Sequence, residues 1–121
     1  MTKILLTIGL DPAVVDYSKW PGLTREKLEA GSVQFEEALR ELEYEQAYCL
    51  VDGGPDSVQR VVAALQEVRP DRVLIGAGIR LDADLFLLFE RIINAVHEHA
   101  PQARILFNSG SDSIDAVKRW A

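Results

Sequence analysis

The chain has 121 residues, and 48% of them are hydrophobic, which is the length and composition of one domain with one core. Residues 1–121 are therefore read as a single α/β domain. A formal net charge of −6 lacks the basic footprint that nucleic acid or an anionic membrane requires, so neither is expected as a partner. One cysteine, Cys49, leaves no pair for an intramolecular disulfide.

The first element is the apolar run "KILLTIGL" (Lys3 to Leu10), read as a buried strand. Its apolar stretch is too short for a signal peptide, and no run in the chain approaches the roughly 18 apolar residues of a membrane span. The expectation is a soluble, cytoplasmic protein. "DPAVVDYSKWPGL" follows as an irregular loop broken by Pro12, Pro21 and Gly22. Thr24 can cap a helix from Arg25 to about Tyr44, with Leu28, Phe35, Leu39 and Leu42 on one face and Gly31 as its weak point. "QAYCLVD" (Gln46 to Asp52) is the second strand, and places Cys49 as a buried, inert thiol. Gly53-Gly54-Pro55 turns the chain, and Asp56 can cap the next helix, whose buried stripe is Val58, Val61, Val62 and Leu65.

"RVLIGAG" (Arg72 to Gly78) is the third strand. The helix "ADLFLLFERIINAVHEHA" turns Leu85, Phe89, Ile92 and Val96 inward. His97 and His99 lie two apart and face different ways, so they do not make a metal pair; His97, four after Ile93, is expected to be partly buried. "ARILFNS" is the fourth strand, and a short helix, "SIDAVKRWA", follows it. Strands apolar on both faces and separated by amphipathic helices imply a short, doubly wound parallel sheet. The expected order is 2-1-3-4, with helices on both faces.

In such a sheet ligands bind at the carboxyl ends of the strands, near the switch point between the first and third. The groups expected there are Asp11 and Asp16, then Asp52, then Gly76 to Arg80, then Asn108 to Ser111. Gly76-Ala77-Gly78 is not a dinucleotide fingerprint: the third glycine is replaced by Leu81, and the turn follows the wrong strand. No Walker loop exists either. The glycines permit a turn and close backbone packing, or they make room for a ligand beside the Arg80 fork. Asp11 and Asp52 end neighbouring strands. They either hold a cation or share a proton, or each caps its own turn. Trp20 in the long first loop is a lid over the strand ends, an anchor for the loop, or part of a partner surface.

The layout resembles the receiver domains of bacterial response regulators, a flavodoxin-like fold. The stretches that carry the resemblance are "DPAVVDYSK", "VRPDRVLIGAGIRLD" and "INAVHEHAPQARILFNSGSDSIDAV". The resemblance implies an aspartate that is phosphorylated at the end of the third strand, where this chain has Gly76. It implies an acidic pair after the first strand, where Ile8 and Gly9 come first and only Asp11 remains. Its hydroxyl residue falls at Asn108 or Ser109, and its lysine follows a fifth strand, where this sequence shows four. The chain also resembles a group of small bacterial proteins of uncharacterised activity that share "IGAG.R" and "LLFERIIN.VHEHAP", which brings no mechanism.

Two function classes follow. The first is a receiver-like domain without a phospho-acceptor, acting as an interaction or small-ligand-binding module. The alternative is a small cytoplasmic enzyme acting on a polar or anionic metabolite at the strand ends. Its acid/base would be Asp11 or Asp52, its anchor Arg80 and its hydrogen-bond donor Asn108. The ligand-binding set common to both is Asp11, Trp20, Gly76, Gly78, Arg80, Asn108 and Ser109, with no metal and no cofactor. A homodimer is expected through the fourth strand, Trp120 and an apolar surplus on the third long helix, Phe86, Leu87 and Ile93.

Overall fold

The computed structural model describes residues 2–110 and 112–121; Ser111, one of the expected strand-end groups, lies outside them. Four parallel strands make one sheet in the order β2-β1-β3-β4. They are β1 (Lys3–Leu10), β2 (Tyr44–Val51), β3 (Arg72–Ile75) and β4 (Arg104–Phe107). The helices are α1 (Arg25–Glu41), α2 (Ser57–Val68), the single turn α3 (Ala77–Arg80), α4 (Phe86–His99) and α5 (Ser113–Arg119). Pairing of β1 with β2 runs unbroken from Lys3 opposite Tyr44 to Leu10 opposite Val51. β3 and β4 align in register, so that Ile75 and Phe107, which end them, lie level with Ile8 of β1, which runs on to Leu10.

Successive side chains point to opposite faces of a strand, so β1 feeds two cores. Leu6 and Ile8 pack with Val51, Val73 and Ile75 against Val61 and Leu65 of α2, Ile79 of α3 and Ile92 and Val96 of α4. Leu5 packs with Leu74 and Leu106 against Leu39 of α1 and Ala116 and Val117 of α5. Both faces of the sheet are thus covered, as parallel sheets require. No helix among the described residues is long and apolar enough to cross a membrane.

Several local expectations change. α1 stops at Glu41 rather than near Tyr44. Glu43 takes a left-handed backbone (φ 63°), which reverses the chain in two residues and delivers Tyr44, 7% exposed, into β2. The third strand ends at Ile75, and Ala77 to Arg80 coil into α3. Neither glycine there is needed for a turn or for close packing. Gly76 has φ −66°, and a Cβ on it would meet only ordinary contacts, the nearest Ile8 O at 3.5 Å. A Cβ on Gly78 would meet nothing within 4 Å. Gly53 does require glycine, at φ 84°. Thr24 caps α1, its Oγ1 accepting from the Lys27 N–H at 3.2 Å, but Asp56 makes no cap bond to α2.

On α4, Ile92 and Val96 are buried, and Phe89 packs half-buried against the same core. Ile93, expected to face a partner, also packs against that core. Phe86 and Leu87 stay 62% and 64% exposed. His97, expected to be partly buried, is exposed, and His99 is half-buried.

Truncating Ile92 to Ala should destabilise the fold by about 2–5 kcal/mol, because it sits at 0% exposure in the larger core. Gly31 lies mid-helix with open space around it, so Gly31→Ala should stabilise by roughly 0.5–1 kcal/mol. Urea midpoints measured at neutral pH check both signs.

Candidate functional site

The carboxyl ends of the strands gather four loops, as the topology dictates. Asp11 follows β1 and Asp52 follows β2, immediately after the paired residues Leu10 and Val51. Each carboxylate bends back onto its own loop. Asp11 Oδ1 accepts from the Ala13 N–H at 2.9 Å and starts a short 3-10 turn, Pro12–Val14. Asp52 Oδ1 accepts from the Gly54 N–H at 2.8 Å and from the Ser57 hydroxyl at 3.4 Å. The Gly54 N–H is the main reason the Asp52 carboxyl sits below the ordinary carboxylate range. Asp16 does the same for its own turn: the Ser18 hydroxyl and N–H hold its carboxyl low. Asp11 and Asp52 thus each cap their own turn. Among the described residues no group of three or more His, Cys, Asp or Glu side chains is placed to hold a metal ion.

Arg80 and Asn108 do come together. Gly76 donates its N–H to the Ile8 carbonyl at 2.9 Å, which starts α3 directly beyond the sheet and ends it at Arg80. Arg80 Nη2 donates to the Asn108 carbonyl at 2.7 Å, and the guanidinium lies 5.4 Å from the centre of the Phe107 ring. Asn108 Nδ2 donates to the Gly110 carbonyl (3.1 Å) and to Ser113 Oγ (2.9 Å), fastening the loop to α5. Ser109 donates both its N–H (2.7 Å) and its hydroxyl (2.8 Å) to the Asp112 carboxylate. Those two donors, the N–H foremost, lower the Asp112 carboxyl from its usual range. Two buried atoms of the cluster have no partner among the described residues: Arg80 Nε and Asn108 Oδ1.

A residue not singled out in the sequence crosses this end of the sheet. Lys19, in the loop after β1, reaches Asp82 (3.0 Å) and Asp84 (2.7 Å) in the loop after β3. These carboxylates hold the ammonium well above its ordinary range, Asp84 first. The strap spans the two strands that flank the switch point. Its only sequence signal is a loop lysine and a distant "LDAD" that carries opposite charge, and 63 residues separate them. Trp20 closes the turn Tyr17–Lys19 through its N–H to the Tyr17 carbonyl (3.1 Å) and is half-buried. Two hollows lie elsewhere. One of about 320 Å³ sits between α2 and α4, and one of about 160 Å³ lies at the opposite end of the strands beside Tyr44. Burial pushes the Cys49 thiol up, which suits a core residue rather than a nucleophile.

Sheet order, crossovers and strand-end loops define an α/β protein of flavodoxin-like fold. No family model, no curated protein and no solved structure matches the chain.

The lowered Asp112 carboxyl gives a signed pH dependence. A group whose folded pKa lies below its unfolded value near about 3.9 stabilises the fold above that value. The contribution disappears as pH falls through the folded pKa. Asp112→Asn should therefore lower the urea midpoint at pH 7, and the gap from the parent chain should close as pH drops from about 4 to 2.5. A gap of constant size across that range would contradict the assignment.

Proposed function

We propose that this chain is a non-catalytic α/β interaction module, receiver-like in layout and without a phospho-acceptor. One observation carries the reading: the polar groups at the strand ends close their own loops. Asp11 binds Ala13, Asp52 binds Gly54, Ser109 binds Asp112, Arg80 binds Asn108, and Lys19 bridges the loops after β1 and β3. A catalytic site of this fold needs such groups turned toward a common substrate position. Gly76, where the resembled family has its acceptor aspartate, carries no side chain to phosphorylate. Incubation with acetyl phosphate and magnesium should leave the mass unchanged. A stable phosphoryl adduct on any aspartate would overturn the reading.

A second reading, binding or turnover of a small anionic metabolite, is favoured by Arg80 Nε, a buried donor with no partner among the described residues. A buried polar atom without a partner is costly, and a ligand group that accepts from Arg80 Nε would satisfy it. Thermal denaturation separates the two, because any ligand of the native state raises its apparent stability. The module reading expects no shift with millimolar inorganic phosphate, acetate, nucleotides or flavins. A shift with phosphate or acetate that Arg80→Gln abolishes would establish the second reading instead.

A further inference from the structure

The sheet has two edges, and they are protected very unequally. In a strand, successive residues turn their N–H and C=O groups to opposite neighbours. Arg104 N–H donates to the Asp71 carbonyl at 3.1 Å, so Arg104 and Leu106 face β3, and Ile105 and Phe107 face outward. The outward Phe107 carbonyl already accepts from Arg119 Nη2 at 2.9 Å. Arg104 lies over the Trp120 ring at 5.2 Å from its centre. β4 is four residues long, carries two arginines beside it and has its end capped; these are the usual devices against edge pairing.

β2 has none of them. It runs for eight residues, pairs with β1 without a bulge, and contains no proline, lysine or arginine. The Asp11 N–H donates to the Val51 carbonyl at 2.9 Å, so Val51, Cys49, Ala47 and Glu45 face β1. Tyr44, Gln46, Tyr48 and Leu50 therefore turn their backbone groups outward. Among the described residues no hydrogen bond reaches the outward groups of Gln46, Tyr48 or Leu50. The side chains of Tyr48 and Leu50, on the α1 face, stay 42% and 44% exposed.

We infer that β2 is the interaction edge and that its occupant is a second copy of β2, paired antiparallel across a two-fold axis. The backbone parity restricts the axis. Outward residues must face outward residues; axes at Ala47 and at Tyr48 overlap equally, and the axis at Tyr48 is the one that sets the two half-exposed tyrosines against each other. Tyr48 then meets Tyr48 of the other copy, and Gln46 meets Leu50. Glu45 falls opposite Val51, so no like charges stand directly opposite one another, which is the charge pattern a self-pairing strand needs. The aromatic pair and Leu50 become covered, and two four-stranded sheets join into one of eight strands. The opposing contribution is Glu36, whose charge acts on Tyr48 from α1 and is brought near its own copy at the axis; salt screens it. This inference places the expected dimer contact away from β4, Phe86 and Trp120. It rests on the backbone and side chains of the β2 edge and stands whether or not the strand ends bind a metabolite.

Light scattering at tens of micromolar should give twice the 13.5 kDa chain mass. Tyr48→Lys and Leu50→Lys, both at exposed positions, should each return a folded monomer by scattering and circular dichroism. Trp120→Ala should leave the dimer intact. The register has its own test: Ala47 faces Cys49 of the second copy as a closely spaced pair. Ala47→Cys should thus form a disulfide-linked dimer under mild oxidation that a further Cys49→Ser abolishes, and the parent chain, with Cys49 alone, should not crosslink. A monomer at that concentration overturns the inference. So does a dimer that Trp120→Ala dissolves and Tyr48→Lys leaves intact, or an Ala47→Cys chain that stays uncrosslinked.

Discussion

The structure depends on β1 being buried on both faces and paired on both sides. Parallel strands cannot be joined by hairpins, so each connection must cross the sheet face as a helix. The right-handed sense of those crossovers then decides which face each helix covers. With β2 and β3 on either side of β1, α1 and α5 share one face, and α2, α3 and α4 share the other. Leu5 belongs to one core and Leu6 and Ile8 to the other, and all three are fully buried. Every other element takes its place from that strand. The carbonyl of Ile8, bound by the Gly76 N–H, even sets where the chain leaves the sheet to begin α3.

The same topology gathers the loop residues at one end of the sheet, but gathering is not convergence. Short acidic side chains next to a free backbone N–H two residues on satisfy it locally, which is why Asp11, Asp16 and Asp52 each serve their own turn. Arg80 and Asn108 meet across adjacent strands because α3 is one turn long and Phe107 offers its ring to the guanidinium. Lys19 then fixes the first loop over the switch point. What remains at this end is a set of self-satisfied loops with two buried atoms, Arg80 Nε and Asn108 Oδ1, that have no partner among the described residues.

The two edges show how a small sheet treats its unpaired backbone. β4 is short and flanked by cations, and its outermost carbonyl is taken by Arg119. β2 is long, regular and free of such devices, with half-exposed tyrosine and leucine side chains beside it. The difference follows from chain order. α5 comes after β4 and can reach back to it, whereas no described element beyond α1 and α2 reaches the outer side of β2.

Much of this was legible in the sequence, for local reasons. Apolar runs at Lys3–Leu10 and Arg72–Ile75, and the helical stripe through Ile92 and Val96, follow from side-chain periodicity. The strand order then follows from crossover handedness, a general constraint on any chain of this pattern. The turn roles of Asp52 and Thr24 come from side chains acting on backbone a few residues away. Other features depended on contacts between distant segments. Glu43 reverses the chain without a glycine, in a left-handed backbone that delivers Tyr44 into the core. Gly76 and Gly78 read as part of the third strand and its turn, and instead begin a helix. Lys19 meets Asp82 and Asp84 across 63 and 65 residues, and Arg119 meets Phe107 only once α5 has packed back on the sheet. Sequence by itself determined the elements and their order, because these rest on periodicity and chirality. Tertiary structure alone decided which polar groups were left without partners and which edge was left open, because both depend on which distant groups arrive there first.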